Sequence, residues 1–331
     1  LGLILRDLGK LKEAEISTRK AIKLNTNCSS HHLNLGIILR DLGKLEEAEL
    51  SLRKAMELNP SCVNTKLYLE DLTQKIVPRW HIPMINDHDR NASYLKAINI
   101  AVKENDYVLE IGSGSGLLSM MAIDAGAEKV TTCESNKPIF KIAKKIISKN
   151  GYEKNIKLIN LKSTELNIDN HLSQKADLII SEIFSSELVG EGVQTSILDA
   201  KKRLLKENGK MIPESGDIKF ALLKRNSEIE DLCLTSKING YDLSDFNQIT
   251  GNKFNLDIKG LNISFLSNET VAFEFDFYSN KIIKDKEIFL DIPILEDGIC
   301  LGIITWIKIN LYLNIYLENK PTNRTKSHWI N

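Results

Sequence analysis

Two groups of residues in this sequence have the types and the spacing to do chemistry. The first is the run Gly112, Ser113, Gly114, Ser115, Gly116, which follows the apolar stretch Tyr107, Val108, Leu109 and precedes a helix-like segment from Leu117. Glycines at such a place let the backbone turn sharply out of a buried strand and approach a ligand closely. Glu134 ends a second strand, Lys129 to Cys133, 22 residues after Gly112. An acid about 20 residues beyond a glycine turn is placed to accept hydrogen bonds from a ribose diol, so the pattern reads as a nucleoside site. The second group is SEIFSSELVGEG, in which Glu182, Glu187 and Glu191 follow the strand-like run Ala176 to Ser181. In a parallel sheet ligands sit at the C-terminal strand ends, which puts these carboxylates at the edge where the nucleoside belongs.

The turn also restricts which nucleoside. A phosphate-cradling loop needs Lys followed by Ser or Thr after its last glycine, and here Leu117 and Leu118 follow, so ATP is disfavoured. The dinucleotide fingerprint would put its third glycine where Leu117 stands. The spacing G-x-G-x-G, with Glu110 two residues ahead of Gly112, suits S-adenosylmethionine better. Taken alone, such a turn is a strand-to-helix connection with no ligand in roughly a third of matches.

The elements that must position these residues follow from periodicity. After the glycine turn come a helix from about Lys137 to Lys149, strands Ile156 to Leu161 and Ala176 to Ser181, and a helix from about Gly192 to Leu205. That alternation predicts an α/β, Rossmann-like, doubly wound parallel sheet over residues 77–213. Ahead of it, Asp87 or Asn86 can cap a helix running to about Lys103, with Tyr94, Leu95, Ile98 and Val102 on one face. Met84 and Arg90 lie near the start of that helix, where an arginine can pair with the carboxylate of the cofactor's methionine portion, though on the residues alone it is more often a solvated helix charge. After Pro213 the pattern changes to two-residue alternation in DIKFALL, VAFEFDFYS, EIFLDI and GICLGIITWIKINLYL. Residues 214–331 therefore read as an antiparallel β-barrel or sandwich.

The N-terminal part is a different object. LGLILRDLGKLKEAEISTRKA at residues 1–21 recurs 34 residues later as LGIILRDLGKLEEAELSLRKA, and 34 is the tetratricopeptide period. Leu35, Gly36, Leu39, Gly43, Ala48, Ala55 and Pro60 fall at that repeat's packing, close-contact and terminating positions. Residues 63–76 read as a capping helix, so the helical part covers residues 1–76. The chain opens on Leu1 inside a repeat, and a longer array is expected before it. Such helix pairs present a surface for a peptide or protein partner, or act as a spacer or dimerisation element.

Composition excludes more than it assigns. A formal net charge of +0, with 27% charged residues, gives no bulk reason to bind nucleic acid or an anionic membrane. No apolar run approaches the ~18 residues of a transmembrane helix. Cys28, Cys62, Cys133, Cys233 and Cys300 form no C-x-x-C pair, which argues for reduced thiols, no metal site and a cytoplasmic setting.

Five motifs in one order, WHIPMINDHDRN, VLEIGSGSGLLSMMAIDAGA, the acid of TTCE, SEIFSSELVGEG and SHW, resemble the protein arginine N-methyltransferases over roughly residues 78–331. Glu182 and Glu191, nine residues apart, match that family's double-E loop, and Ser327, His328 and Trp329 resemble its THW loop. The resemblance implies that Glu182 and Glu191 grip a substrate guanidinium. A guanidinium is protonated and delocalised, hence a poor nucleophile, and two carboxylates holding its fork bias the charge away from the nitrogen that is methylated. It implies that His328 orients the pair or takes a proton. Toward S-adenosylmethionine it implies Arg90 on the carboxylate, Gly112, Gly114 and Gly116 on the methionine side, Glu134 on the ribose, and Ser163 or Thr164, with Glu165 nearby, on the adenine. Met84 matches a methionine that lines the methyl site in asymmetric-dimethylating members. Glu187 departs from the pattern as a third carboxylate.

The resemblance further implies a homodimer through an arm at residues 226–256, and barrel strands continuing beyond the SHW motif. Two rival expectations stand beside this one: a methyltransferase with another acceptor, and a repeat scaffold whose methyltransferase fold is inactive.

Overall fold

The computed structural model describes residues 1–256, 261–279 and 287–322. It divides into two compact units, the first ending at His81 and the second beginning at Ile82.

The first unit is built from helices α1 (Gly2–Asp7), α2 (Leu11–Leu24), α3 (Ser29–Asp41), α4 (Leu45–Leu58) and α5 (Val63–Ile76). Helix α5 has the limits expected of the capping helix. Leu35, Leu39, Ala48, Leu52 and Leu72 form the core, and a fully buried leucine contributes about 2 kcal/mol through the area it removes from water. Gly36 is required by close approach: a Cβ built on it would lie 2.6 Å from Leu52 Cγ. Ion pairs Arg6–Asp41, Arg19–Glu47, Lys44–Glu15 and Arg40–Asp71 link successive repeats.

The chain continues through α6 (His81–Ile85), α7 (His88–Ala101), β1 (Tyr107–Ile111), α8 (Leu117–Asp124), β2 (Lys129–Cys133), α9 (Lys137–Lys149), β3 (Ile156–Ile159), β4 (Ala176–Ser181), α10 (Val193–Leu204) and β5 (Leu205–Ile212). The five strands are parallel, in the order β3-β2-β1-β4-β5. Every residue of β1 is buried, as expected of a strand covered on both faces. Strand β5 was not evident in the sequence, because LKENGKMI carries its polar residues through the middle and pairs on one side alone.

Beyond β5 come β6 (Ser215–Lys224), α11 (Ser227–Cys233), the hairpin β7 (Lys237–Ile238) and β8 (Tyr241–Asp242), then β9 (Thr270–Asp276), β10 (Cys300–Tyr312) and β11 (Ile315–Glu318). An antiparallel sheet in the order β11-β10-β6-β9 results. Among the described residues it does not close into a barrel. Its Phe275, Ile307, Ile309 and Leu311, with Phe277 just after β9, share one core with the parallel sheet. The run EIFLDI forms no strand: Phe289 is 89% exposed, and Pro293, which has no N–H to give a ladder, follows. Among the described residues no helix is long and apolar enough to cross a membrane, and no three His, Cys, Asp or Glu side chains are grouped to hold a metal ion.

Candidate active site

The strand order reverses between β1 and β4, which opens a crevice at their C-terminal ends. From β1 springs the glycine turn; from β4, the loop that begins with Glu182. Gly112, Gly114 and Gly116 all have positive φ (81°, 52° and 83°), which side-chain-bearing residues rarely adopt. A Cβ on Gly112 would also lie 2.7 Å from Ile183 Cγ2, so the turn and the carboxylate loop pack directly on each other. The Gly112 and Ser113 N–H groups donate to the Cys133 carbonyl at 3.1 and 2.9 Å, tying the turn to the end of β2. There Glu134, itself buried, accepts from the Gly114 N–H (3.2 Å) and the Asn136 N–H (2.8 Å). The Asn160 side chain donates to the Glu134 carbonyl at 2.7 Å, adding the end of β3 to the same edge.

Helix α7 closes the other side. Asp87 caps it by accepting from the Arg90 N–H at 2.9 Å. The Arg90 guanidinium then reaches Glu182: Nε donates to Oε1 at 2.7 Å and Nη2 meets Oε2, with the two side chains 5% and 4% exposed. Nη1 donates to Asn91 Oδ1 at 2.6 Å, and Asn91 donates to the Ile85 carbonyl at 2.8 Å, which joins α7 to α6 and its buried Met84. Tyr94, one helical turn after Arg90, lies under the guanidinium and donates its hydroxyl to the Ser181 carbonyl at 3.0 Å. An arginine expected on the cofactor side and a carboxylate expected on the acceptor side are thus paired with each other.

Glu110 is fully buried beneath the turn, and the Ser119 hydroxyl of α8 donates to its Oε2. Burial pushes its carboxyl up to about 7, against the opposing pull of the Ser119 hydrogen bond and of the Arg90 charge. The buried Ser113 hydroxyl has no hydrogen-bond partner among the described residues. Ser163 and Thr164 lie in a 3₁₀ turn, Ser163–Glu165, where Glu165 caps the turn by accepting from the Lys162 N–H at 3.0 Å. Arg203 of α10, not singled out in the sequence, holds this turn: paired with Asp199, it donates to the Leu166, Ser163 and Thr164 carbonyls. Its Asp199-to-Arg203 spacing on a helix is the signal that was available.

Glu187 faces outward, 58% exposed and paired with Lys253 of the arm. The structure does not bring it to Glu182. Glu191 lies in the 3₁₀ turn Gly190–Gly192 that leads into α10. His328, with Ser327 and Trp329, lies outside the described residues.

These groups fit S-adenosylmethionine: a turn without side chains, an unpartnered hydroxyl, a buried carboxylate for hydroxyl donors and a buried guanidinium, here held by Glu182, whose charge suits the cofactor's carboxylate. Comparison with known proteins bears on the same region. The family described as ribosomal protein L11 methyltransferase matches residues 86–230, and the tetratricopeptide repeat family matches 1–28 and 32–62. An arginine N(omega)-methyltransferase of Streptomyces achromogenes subsp. streptozoticus is 33% identical over 260 residues, covering 78% of this chain and 71% of that protein. Protein arginine N-methyltransferase 1.6 of Arabidopsis thaliana is 34% identical over 242 residues, 68% of this chain and 33% of that protein. Protein arginine N-methyltransferase 7 of Mus musculus is 37% identical over 162 residues, 46% of this chain and 23% of that protein. The chain thus spans a third or less of these last two relatives. In fold, it is similar to a chain of the Trypanosoma brucei PRMT1 enzyme-prozyme heterotetrameric complex with AdoHcy. The TM-score is 0.60 at 22% identity, covering 76% of this chain and 80% of that one.

Proposed function

Because this chain belongs to the arginine N-methyltransferase family, we propose that it transfers a methyl group from S-adenosylmethionine to a guanidino nitrogen of an arginine in a protein substrate. The observation that carries the reading is the Arg90–Glu182 contact. A carboxylate at the sheet edge, almost wholly out of water, already holds a guanidinium through its fork. A substrate guanidinium meeting Glu182 finds the same chemistry.

When bound, S-adenosylmethionine supplies a methyl group on a positively charged sulfur. The chain's residues then divide the remaining work. The turn at Gly112, Gly114 and Gly116 gives close backbone approach, and Glu110, joined to Ser119 beneath it, supports its shape. Glu134 is assigned the ribose hydroxyls, Ser163 and Thr164 the adenine side, Met84 the wall beside the methyl group and Arg90 the carboxylate. Glu182 and Glu191 grip the acceptor, localise its charge and leave one nitrogen directed at the methyl group. His328 is assigned to orient the pair or to take the released proton. Holding both reactants in line in a water-poor crevice supplies most of the acceleration.

The proposal extends to partners. The repeats are assigned recruitment of a protein or peptide. The arm at 226–256 is assigned pairing of two copies, a reading supported by its exposed Tyr241, Phe246 and Ile249. A cytoplasmic setting is supported by five cysteines held as free thiols.

The test is to incubate the protein with methyl-labelled S-adenosylmethionine and an arginine-rich protein pool, then hydrolyse to amino acids. Labelled methylarginine is expected. Cofactor binding with label on some other residue, or on none, would overturn the acceptor assignment.

A further inference from the structure

We propose that Tyr94 is a positioning residue for Glu182, acting through the main chain of Ser181; the inference rests on the arginine-methylation reading above. Ser181 is the last residue of β4 and pairs in register with Ile111, the last residue of β1. The two active loops therefore leave the sheet side by side, Gly112 from one strand and Glu182 from the other. On its other side β4 loses its partner one residue earlier: the last pair with β5 is Ile180 with Ile212, and Pro213, next in line, has no N–H to donate. The Ser181 carbonyl is thus at a point where the ladder runs out, and the Tyr94 hydroxyl takes it at 3.0 Å.

Three features make this contact specific. Tyr94 is fully buried, so its hydroxyl cannot exchange Ser181 for water. Its ring lies under Arg90, whose guanidinium centre is 5.1 Å from the ring centroid, and Arg90 in turn holds the Glu182 carboxylate. One side chain on α7 therefore fixes Glu182 twice, through the backbone that precedes it and through the cation that meets it. Burial pushes the Tyr94 phenol well above its ordinary value, so it remains a donor at any working pH. The hydroxyl is taken by the Ser181 carbonyl. Its effect is on where Glu182 points.

The experiment is Tyr94→Phe, which keeps the ring under Arg90 and removes only the donor. Active sites are counted by bound S-adenosylmethionine, and methylarginine formation is measured per site. The expected result is a fall in kcat of about 10-fold to 100-fold per site, with KM for the cofactor within about 3-fold of the parent. A residue that merely stabilised the fold would lower the number of competent sites and leave kcat per site unchanged; that outcome overturns the inference. Tyr94→Met removes ring and hydroxyl together, is read in the same way should the Phe variant not fold, and is expected to fall further. The parent is assayed alongside: if it makes no methylarginine, the functional reading fails and this inference falls with it. A productive parent with an unaffected Tyr94→Phe variant sinks the positioning role alone.

Discussion

The repeat pair and the edge of the parallel sheet use the same chemical couple, an arginine and a carboxylate, to opposite ends. In the repeats, Arg19–Glu47 joins residues 44% and 51% exposed. At the sheet edge, Arg90–Glu182 joins residues 5% and 4% exposed. Water screens the first pair and competes for both partners, so such pairs contribute between about 0 and 1 kcal/mol and act mainly on register. The second pair is desolvated. Removing one of its partners leaves a charge with no solvent to stabilise it, typically at a cost of about 3–5 kcal/mol. The difference lies in where the scaffold puts the couple. A helix surface gives a stitch, and the switch point of a doubly wound sheet gives a site with a strong, directed hold on a guanidinium.

The sharpest way to break that comparison is Glu182→Gln. The amide keeps the shape but cannot balance either the Arg90 cation or an incoming guanidinium. Methyl transfer should fall by a factor on the order of 10³, about 4 kcal/mol of transition-state stabilisation. Chemical denaturation should show a loss of about 3 kcal/mol, from the Arg90 charge left behind. A variant with full activity per site would remove Glu182 from the grip.

Next in size is a pH effect beneath the same turn. The Glu110 carboxyl titrates near 7 in the fold, above its ordinary value of 4.5, because burial penalises its charge. Between those values the folded chain holds a proton that the unfolded chain has released, so the group's contribution is intact below about pH 4.5 and is lost as pH rises through about 7. The full difference is on the order of 3 kcal/mol. Glu110→Gln cannot ionise. Its thermal midpoint relative to the parent should therefore rise between about pH 5 and pH 7 and level off above that, and a constant offset across that range would show that Glu110 carries no such penalty.

Much of this was legible in the sequence where the signal is local. Strand β2 and helices α5 and α9 fall at the limits read from periodicity, and Asp87 caps α7 as its type and place suggest. That the glycine turn follows β1 and that Glu134 follows β2 was legible because each closes an apolar strand; their hydrogen bond through the Gly114 N–H was not. What periodicity could not give were long-range encounters. Arg90 and Glu182 are 92 residues apart, and their direct contact depends on how α7 lies across β4. The carbonyl contacts of Arg203 and Tyr94 are not legible for the same reason, since each satisfies backbone carbonyls that become orphans only once the strands and turns are assembled. EIFLDI failed in the other direction, because alternation supplies a face but not a neighbouring strand.

The smallest effect belongs to the repeats, and it makes the comparison quantitative. In a double-mutant cycle of Arg19→Gln and Glu47→Gln, the coupling energy should be no more than about 1 kcal/mol. It should fade in 1 M salt, where the screening length is only about 3 Å. Part of even that value is shared, because Arg19 also contacts Glu15 within its own helix at 2.8 Å, so losing Glu47 leaves the guanidinium with a partner and with water. The same cycle on Arg90 and Glu182 should give at least 2 kcal/mol more and keep most of it in salt, because a Debye atmosphere cannot enter a site this buried. Equal coupling energies, or equal salt sensitivity, would mean that the crevice is wet and that its grip on a guanidinium is no stronger than a surface stitch. The unequal result, with the excess confined to the sheet edge, is what a crevice that activates a guanidinium requires.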